Sequence, residues 1–167
     1  MSAPIAIVNE DDQIIGSASK QEAWDKGLLH RVVRIMIQNK EGKVLLQHRT
    51  PTKDIFPNCW DNSAAGHVDA GEEYDDAAYR ELAEELGVSG IELHPIGSYR
   101  SEEIWKGHHF NRFTKCYVAT MEKLPSKLEK GKVDDVRWFT IDEVKRMVDE
   151  KPDAVTDGLR QVVERYY

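Results

Sequence analysis

The segment Arg80-Glu81-Leu82-Ala83-Glu84-Glu85-Leu86-Gly87 decides how the rest of the chain is read. Ala78, Leu82 and Leu86 recur every four residues and give a helix one buried stripe. Upstream, Glu72, Glu73, Asp75 and Asp76 bring negative charge to a first turn, and Gly87 follows the last turn as a stop. The spacing predicts a helix over Glu73–Leu86. Within it, Glu81, Glu84 and Glu85 stand at i, i+3 and i+4, which groups three carboxylates on one side. Two of them fall in the last turn, where the helix dipole disfavours anions, and like charges so spaced repel by roughly a few tenths of a kcal/mol per pair. A solvated acidic face is the ordinary reading of such a pattern. Here the placement costs stability twice, and Arg80 relieves only part of it. Local rules are broken most often at functional sites. Hard carboxylate oxygens in a cluster suit Mg²⁺, Mn²⁺ or Ca²⁺ better than zinc. The residues point to a divalent-cation site and leave the reaction open.

The chain around this helix has 167 residues and fits a single domain over 1–167. Its 40% apolar share suffices for a packed core and excludes wholesale disorder. Lys and Arg number 23 against 30 Asp and Glu, a net charge of −7. That balance disfavours a nucleic-acid polymer as partner, and an anionic ligand needs local cations. No apolar run approaches the ~18–20 residues of a membrane span. Met1 to Glu10 lacks the basic flank and cleavage site of a signal peptide, and Cys59 and Cys116 lie far apart, as reduced thiols. A cytoplasmic location is the expectation.

Ile5–Val8 and Gln13–Gly16 read as a hairpin within an N-terminal extension over residues 1–28, which fits a lid, a sheet edge or a dimer arm. Ser19 to Lys26 is a weak helix or loop. Val32 to Ile37 and Val44 to Gln47 form a second hairpin around Lys40-Glu41-Gly42. Pro51 to Pro57 is a loop, and Trp60 to Ala65 reads as one short strand. Ile91–Tyr99 and Phe110–Ala119 are strands on either side of a loop over Arg100–His109. Val136–Phe139 is a strand, and Ile141–Val148 and Val155–Tyr167 are helices. Strands with interspersed helices argue an α/β or α+β fold with a helix-flanked sheet.

Gly66, five residues, Glu72, seven residues and then Arg80-Glu81-Leu82-Ala83-Glu84-Glu85-Leu86-Gly87-Val88 fill every defined position of one signature. The segment 66–88 resembles the box of the Nudix hydrolases, and the order of elements is similar to that family's α/β/α sandwich with a mixed β-sheet. The resemblance implies hydrolysis of a pyrophosphate bond in a nucleoside diphosphate linked to another group, a class that includes nucleoside di- and triphosphates, nucleotide sugars and dinucleotides. It implies Mg²⁺, or Mn²⁺, held by Glu81 and Glu85, with Glu84 as ligand or water-activating base and the Gly66 carbonyl completing the site. Arg80 would orient the carboxylates, and Glu72 would pair with Arg80 rather than bind metal. A homodimer is compatible with the same resemblance.

A narrower likeness lies in Phe56-Pro57-Asn58-Cys59-Trp60-Asp61-Asn62-Ser63-Ala64-Ala65-Gly66-His67, which is similar to a segment of the type 1 isopentenyl diphosphate isomerases. His30-Arg31 and His67 match histidine-bearing positions of that pattern. Those enzymes place a catalytic cysteine immediately before the Gly-His pair, where this chain has Ala65, and a methyl group transfers no proton. Cys59 comes too early to replace it. The acidic partner on a later strand is also missing from Phe110-Asn111-Arg112-Phe113. Hydrolysis is the favoured reading. Isomerisation and non-catalytic nucleotide sensing are the alternatives.

Five further residues stand as substrate-binding candidates. His67 reads as a phosphate or metal contact or as a loop-bonding histidine. Arg49 and Lys53 read as phosphate contacts or plain surface cations. Glu103, with Glu102, reads as an extra base or as solvated surface. Trp105, with His108, His109 and Phe110, reads as a stacking platform for a base or as a small satellite core.

Overall fold

The computed structural model describes residues 2–167. Among these described residues nine strands form one mixed sheet: β1 (Ile5–Val8), β2 (Ile14–Ala18), β3 (His30–Gln38), β4 (Val44–Arg49), β5 (Trp60–Asp61), β6 (Ala64–His67), β7 (His94–Trp105), β8 (His108–Thr120) and β9 (Val133–Phe139). The helices are α1 (Lys20–Lys26), α2 (Tyr74–Leu86), α3 (Ile141–Glu150) and α4 (Asp157–Tyr166). The expected mixed sheet between helices is what the chain forms. β3 is its hub, parallel to β8 and antiparallel to β1, β4 and β6. Among the described residues no helix is long and apolar enough to cross a membrane.

Strand alternation divides β3 between two cores. Val33, Ile35 and Ile37 pack with Ala78, Leu82 and Leu86 of α2 on one side. Met36 packs with Val144 and Val148 of α3 and Leu159, Val162 and Val163 of α4 on the other. Each fully buried leucine contributes about 1.5–3 kcal/mol, so the Leu82–Leu86 stripe anchors α2 firmly. α2 ends at Gly87, whose φ of 64° lies in the left-handed region, and a Cβ there would also come within 2.7 Å of Lys127 Cβ.

Three expectations need correction. The expected loop over Arg100–His109 is strand: β7 and β8 pair from His94↔Val118 to Trp105↔His108, with one register shift between Pro95 and Gly97, turning only at Lys106 and Gly107. Trp60 to Ala65 is two strands, β5 and β6, interrupted at Asn62 and Ser63. The final helix starts at Asp157, after a 3₁₀ turn over Pro152–Ala154. Ser19 to Lys26 is a genuine helix, with Ser19 Oγ accepting the Glu22 N–H and Gly27 stopping it. The β1–β2 hairpin joins the body as a sheet edge, through Val8 N–H to the Leu29 carbonyl and Ala6 N–H to the Val68 carbonyl.

Candidate active site

β3 and β4 share only the register pairs Ile37↔Leu45 and Gln38↔Val44, beside their turn, and then separate. β3 continues against β6 and β8, while β4 continues against β5 and β9. A cavity of about 420 Å³ lies where the halves part. It is walled by Val32 and Arg34 of β3, Ala65–His67 of β6, Glu81 and Glu85 of α2, Lys20 and Trp24 of α1, and Asp157 and Gly158 at the start of α4.

Glu81 and Glu85 are one turn apart and both buried. At about 100° per residue, Glu85 sits roughly 40° from Glu81, while Glu84 sits roughly 60° to the other side. That offset turns Glu84 out to the rim, where its side chain is 46% exposed and accepts from Arg80 Nη1 at 3.2 Å. Glu85 Oε1 accepts the Ala65 N–H at 2.9 Å and Gln47 Nε2 at 3.1 Å. Glu81 lies against the bare Cα of Gly66, and a Cβ at that position would collide with the Glu81 carboxyl carbon. Only glycine leaves this carboxylate its place.

Burial and the charge of Glu81 push Glu85 up to about 8. Burial pushes Glu81 upward too, against the opposing pull of Arg80. Two buried carboxylates one turn apart are a hard-oxygen donor set, and a divalent cation relieves the repulsion that otherwise holds a proton there. The residues fit a divalent cation. Among the described residues no group of three His, Cys, Asp or Glu side chains is already gathered around one point.

Arg80 ties the assembly together. Its Nε and Nη2 donate to the two oxygens of Glu72, each at 2.8 Å, and Nη1 donates to Glu81 Oε1 at 2.7 Å. Nη2 also donates to the His67 carbonyl at 3.0 Å. The Arg80 hydrogen bonds hold Glu72 below the usual carboxylate range. Glu72 is thereby committed to the arginine.

Cations line the same cavity: Arg49, Lys53, Lys20 and Lys132. Arg49 donates to the carbonyls of Ile55 and Phe56, fixing the loop between β4 and β5, and its Nη1 is 3.6 Å from Asp61. Burial, then the charge of Arg49, lowers the Lys53 ammonium. His67 also lines the cavity, stacked on His30 with ring centroids 5.4 Å apart, and burial and His30 hold it well below the usual histidine range.

Trp105 and Glu103 lie elsewhere. They line a neighbouring groove with Cys59, Ile104 and Arg160, and only Phe56, Thr156 and Asp157 border both spaces. Glu103 accepts from Arg160 Nη2 at 2.6 Å. Trp105 packs on Phe56 at 4.5 Å and stacks on His108, its cross-strand partner.

The arrangement combines buried carboxylates, a ring of cations and a glycine cradle, and residues 28–165 match the sequence model of the NUDIX domain. The chain belongs to the Nudix hydrolase family. It is 32% identical over 152 residues to the uncharacterized Nudix hydrolase YfcD of Salmonella typhi, covering 90% of this chain and 80% of that one. It is equally 32% identical over 163 residues to an isopentenyl-diphosphate Delta-isomerase of Nocardia farcinica, covering 96% and 93%. Its fold matches the crystal structure of DR0079 from Deinococcus radiodurans with a TM-score of 0.81 at 25% identity, over 98% and 99% of the two chains.

Several residues of this Nudix cavity carry no sequence signal that singles them out. Lys20 and Trp24 belong to the extension that precedes the NUDIX match, and Lys132 reads as an ordinary loop lysine. Arg34 is the exception in kind: an arginine within the apolar run Val32–Ile37, at an alternate position pointing away from α2, is a visible clue.

Proposed function

We propose that this Nudix chain hydrolyses the pyrophosphate bond of a small nucleoside diphosphate linked to another group, using Mg²⁺ or Mn²⁺. The observation that carries the reading is the pairing of buried Glu81 and Glu85 on the wall of a cation-lined cavity. In this reading Glu81, Glu85 and the Gly66 carbonyl hold the cation, and Glu84 stands at the rim as a further ligand or as the base that takes a proton from water. A divalent cation supplies neutralisation of the phosphate oxygens and a water of lowered pKa. The remainder is done by side chains. Arg80 fixes the orientation of Glu81 through a 2.7 Å hydrogen bond while Glu72 fixes Arg80. Arg49, Lys53, Lys20 and Lys132 attract and orient the anionic substrate in a protein of net charge −7. Burial of the two glutamates keeps competing water away from them.

The isomerase similarity offers a second reading, and particular residues weigh against it. Ala65 occupies the position before Gly66-His67 and lines the cavity with a methyl group, while Cys59 sits in the neighbouring groove. On β8 the cavity receives Arg112, not a carboxylate. The test is product analysis with Mg²⁺ and Mn²⁺ across nucleoside di- and triphosphates, nucleotide sugars, dinucleoside polyphosphates and isopentenyl diphosphate, with Glu85→Gln in parallel. Metal-dependent cleavage that disappears in the variant supports hydrolysis. Isomer formation from isopentenyl diphosphate would overturn it.

A further inference from the structure

One wall of the cavity holds several buried nitrogens without hydrogen-bond partners. β3 and β8 run in register with His30↔Arg112 and Arg34↔Cys116, and His67 of β6 faces Val32, so alternation directs His30, Arg34, His67 and Arg112 to the α4 side of the sheet. There the strand residues meet Trp24 of α1 and Asp157 of α4. Arg112 is 7% exposed, and its Nη1 donates to Asp157 Oδ2 at 3.0 Å. Its Nε is buried and has no hydrogen-bond partner among the described residues, and the same is true of Trp24 Nε1 and His67 Nε2. Arg34, 5% exposed, donates from Nη1 only to the neutral Tyr99 Oη and Gln161 Oε1. Of the two buried guanidiniums only Arg112 bonds a carboxylate, Asp157, while Arg34 has Asp157 and Asp61 near it without a direct bond.

Arginine Nε–H and indole N–H are donors only. A buried donor left unpaired costs about 1–3 kcal/mol, and more when it is charged. What completes such a group is an acceptor, and beside two guanidiniums an anionic one is favoured. Trp24 and Lys20 come from α1, ahead of residues 28–165 that match the NUDIX domain, so the cavity owes part of its wall to the N-terminal extension.

We infer that Trp24, His67 and Arg112 form a second subsite that binds an anionic oxygen group, phosphate or carboxylate, on the part of the substrate remote from the bond that is cleaved. The assignment rests on the hydrolase reading for the word substrate, and on the side-chain geometry alone for the binding of the anion. It narrows the substrate to molecules anionic at both ends, such as a diphosphate ester whose attached group carries its own phosphate or carboxylate. Arg34 also walls the cavity and adds positive charge beside this subsite.

The experiment is a metal-free titration of the whole protein with inorganic phosphate and, separately, acetate at constant ionic strength, read on the indole N–H resonance of Trp24 assigned with Trp24→Phe. The expected result is a saturable shift with one anion at least; the anion that binds more tightly identifies phosphate or carboxylate as the group recognised. Arg112→Gln is expected to weaken the apparent Kd about tenfold or more. Because Arg112 is buried and that variant risks misfolding, Trp24→Phe is titrated by calorimetry as well and is expected to weaken binding severalfold. A Trp24 resonance unmoved by either anion, or unchanged affinity in both variants, overturns the subsite. No turnover enters the measurement. A saturable shift in a protein that cleaves no pyrophosphate bond sinks the hydrolase reading alone, and cleavage without the shift sinks the subsite alone.

Discussion

Arg80 and Glu72 form a two-pronged ion pair, Nε to Oε2 and Nη2 to Oε1, both at 2.8 Å, that joins the loop before α2 to the middle of the helix. The third nitrogen of the same guanidinium holds Glu81 at 2.7 Å. A planar fork serves both partners at once, and an ammonium does not. Arg80→Ala is expected to lower turnover about 10²-fold, the scale of losing charge-assisted hydrogen bonds that orient a reacting site. Arg80→Lys is expected to recover little of it. Steady-state kinetics of both variants check this, and full activity in Arg80→Lys would contradict a role for the fork.

Glu85 makes the metal-free protein sensitive to pH. Its folded pKa, about 8, stands above the ordinary 4.5 because the group is buried beside Glu81. The folded state thus holds the proton more tightly than the unfolded state. The stabilisation is fully present below about 4.5 and is lost as pH rises through about 8. Melting temperature measured in chelator is expected to fall between pH 5 and 8, and Glu85→Gln is expected to flatten that slope and melt higher at pH 8. Added Mg²⁺ is expected to stabilise the wild type at pH 8 and the variant much less. Parallel slopes in wild type and variant would rule out Glu85 as the source of the pH dependence.

Gly66→Ala places a methyl group where the Glu81 carboxyl now lies. Overpacking of this kind costs about 1–3 kcal/mol, and the carboxylate is the part able to yield. Activity is expected to drop more than about tenfold while the fold survives with a lowered melting temperature. Unchanged kinetics in a folded Gly66→Ala protein would show that the placement of Glu81 is not needed.

Glu103 is occupied by Arg160 in the neighbouring groove and does not line the cavity with Glu81 and Glu85. Glu103→Gln is expected to change kcat/KM less than about threefold, within the range of a residue that makes no transition-state contact. A loss of about 10²-fold would bring this strand into the active site.

Much of this molecule is legible in its sequence. α2 announces itself through the Ala78–Leu82–Leu86 stripe, its acidic first turn and Gly87, all local signals. The two early hairpins are equally readable because their turns are short and polar. The segment Arg100–His109 reads as loop although it is strand, because β7 is paired on one side only, by β8, and its exposed face carries charges that look like loop composition. Ile104, 74% exposed at the penultimate position of β7, puts an apolar side chain on the strand's exposed face. The site divides in the same way. Glu81, Glu84 and Glu85 are neighbours in sequence, whereas Arg112, Trp24 and Lys20 reach the cavity only through strand register and through the seating of α1 against β8. Arg112, set between Asn111 and Phe113, carries no local mark of burial.

The most direct test of the central claim is the rate of phosphate or nucleotide release from the substrate panel, by wild type and Glu85→Gln, with and without Mg²⁺ or Mn²⁺. The expected result is cleavage at a pyrophosphate bond that requires the cation and falls at least about 10²-fold in the variant. Cleavage that persists undiminished in Glu85→Gln, or that needs no divalent cation, would contradict it.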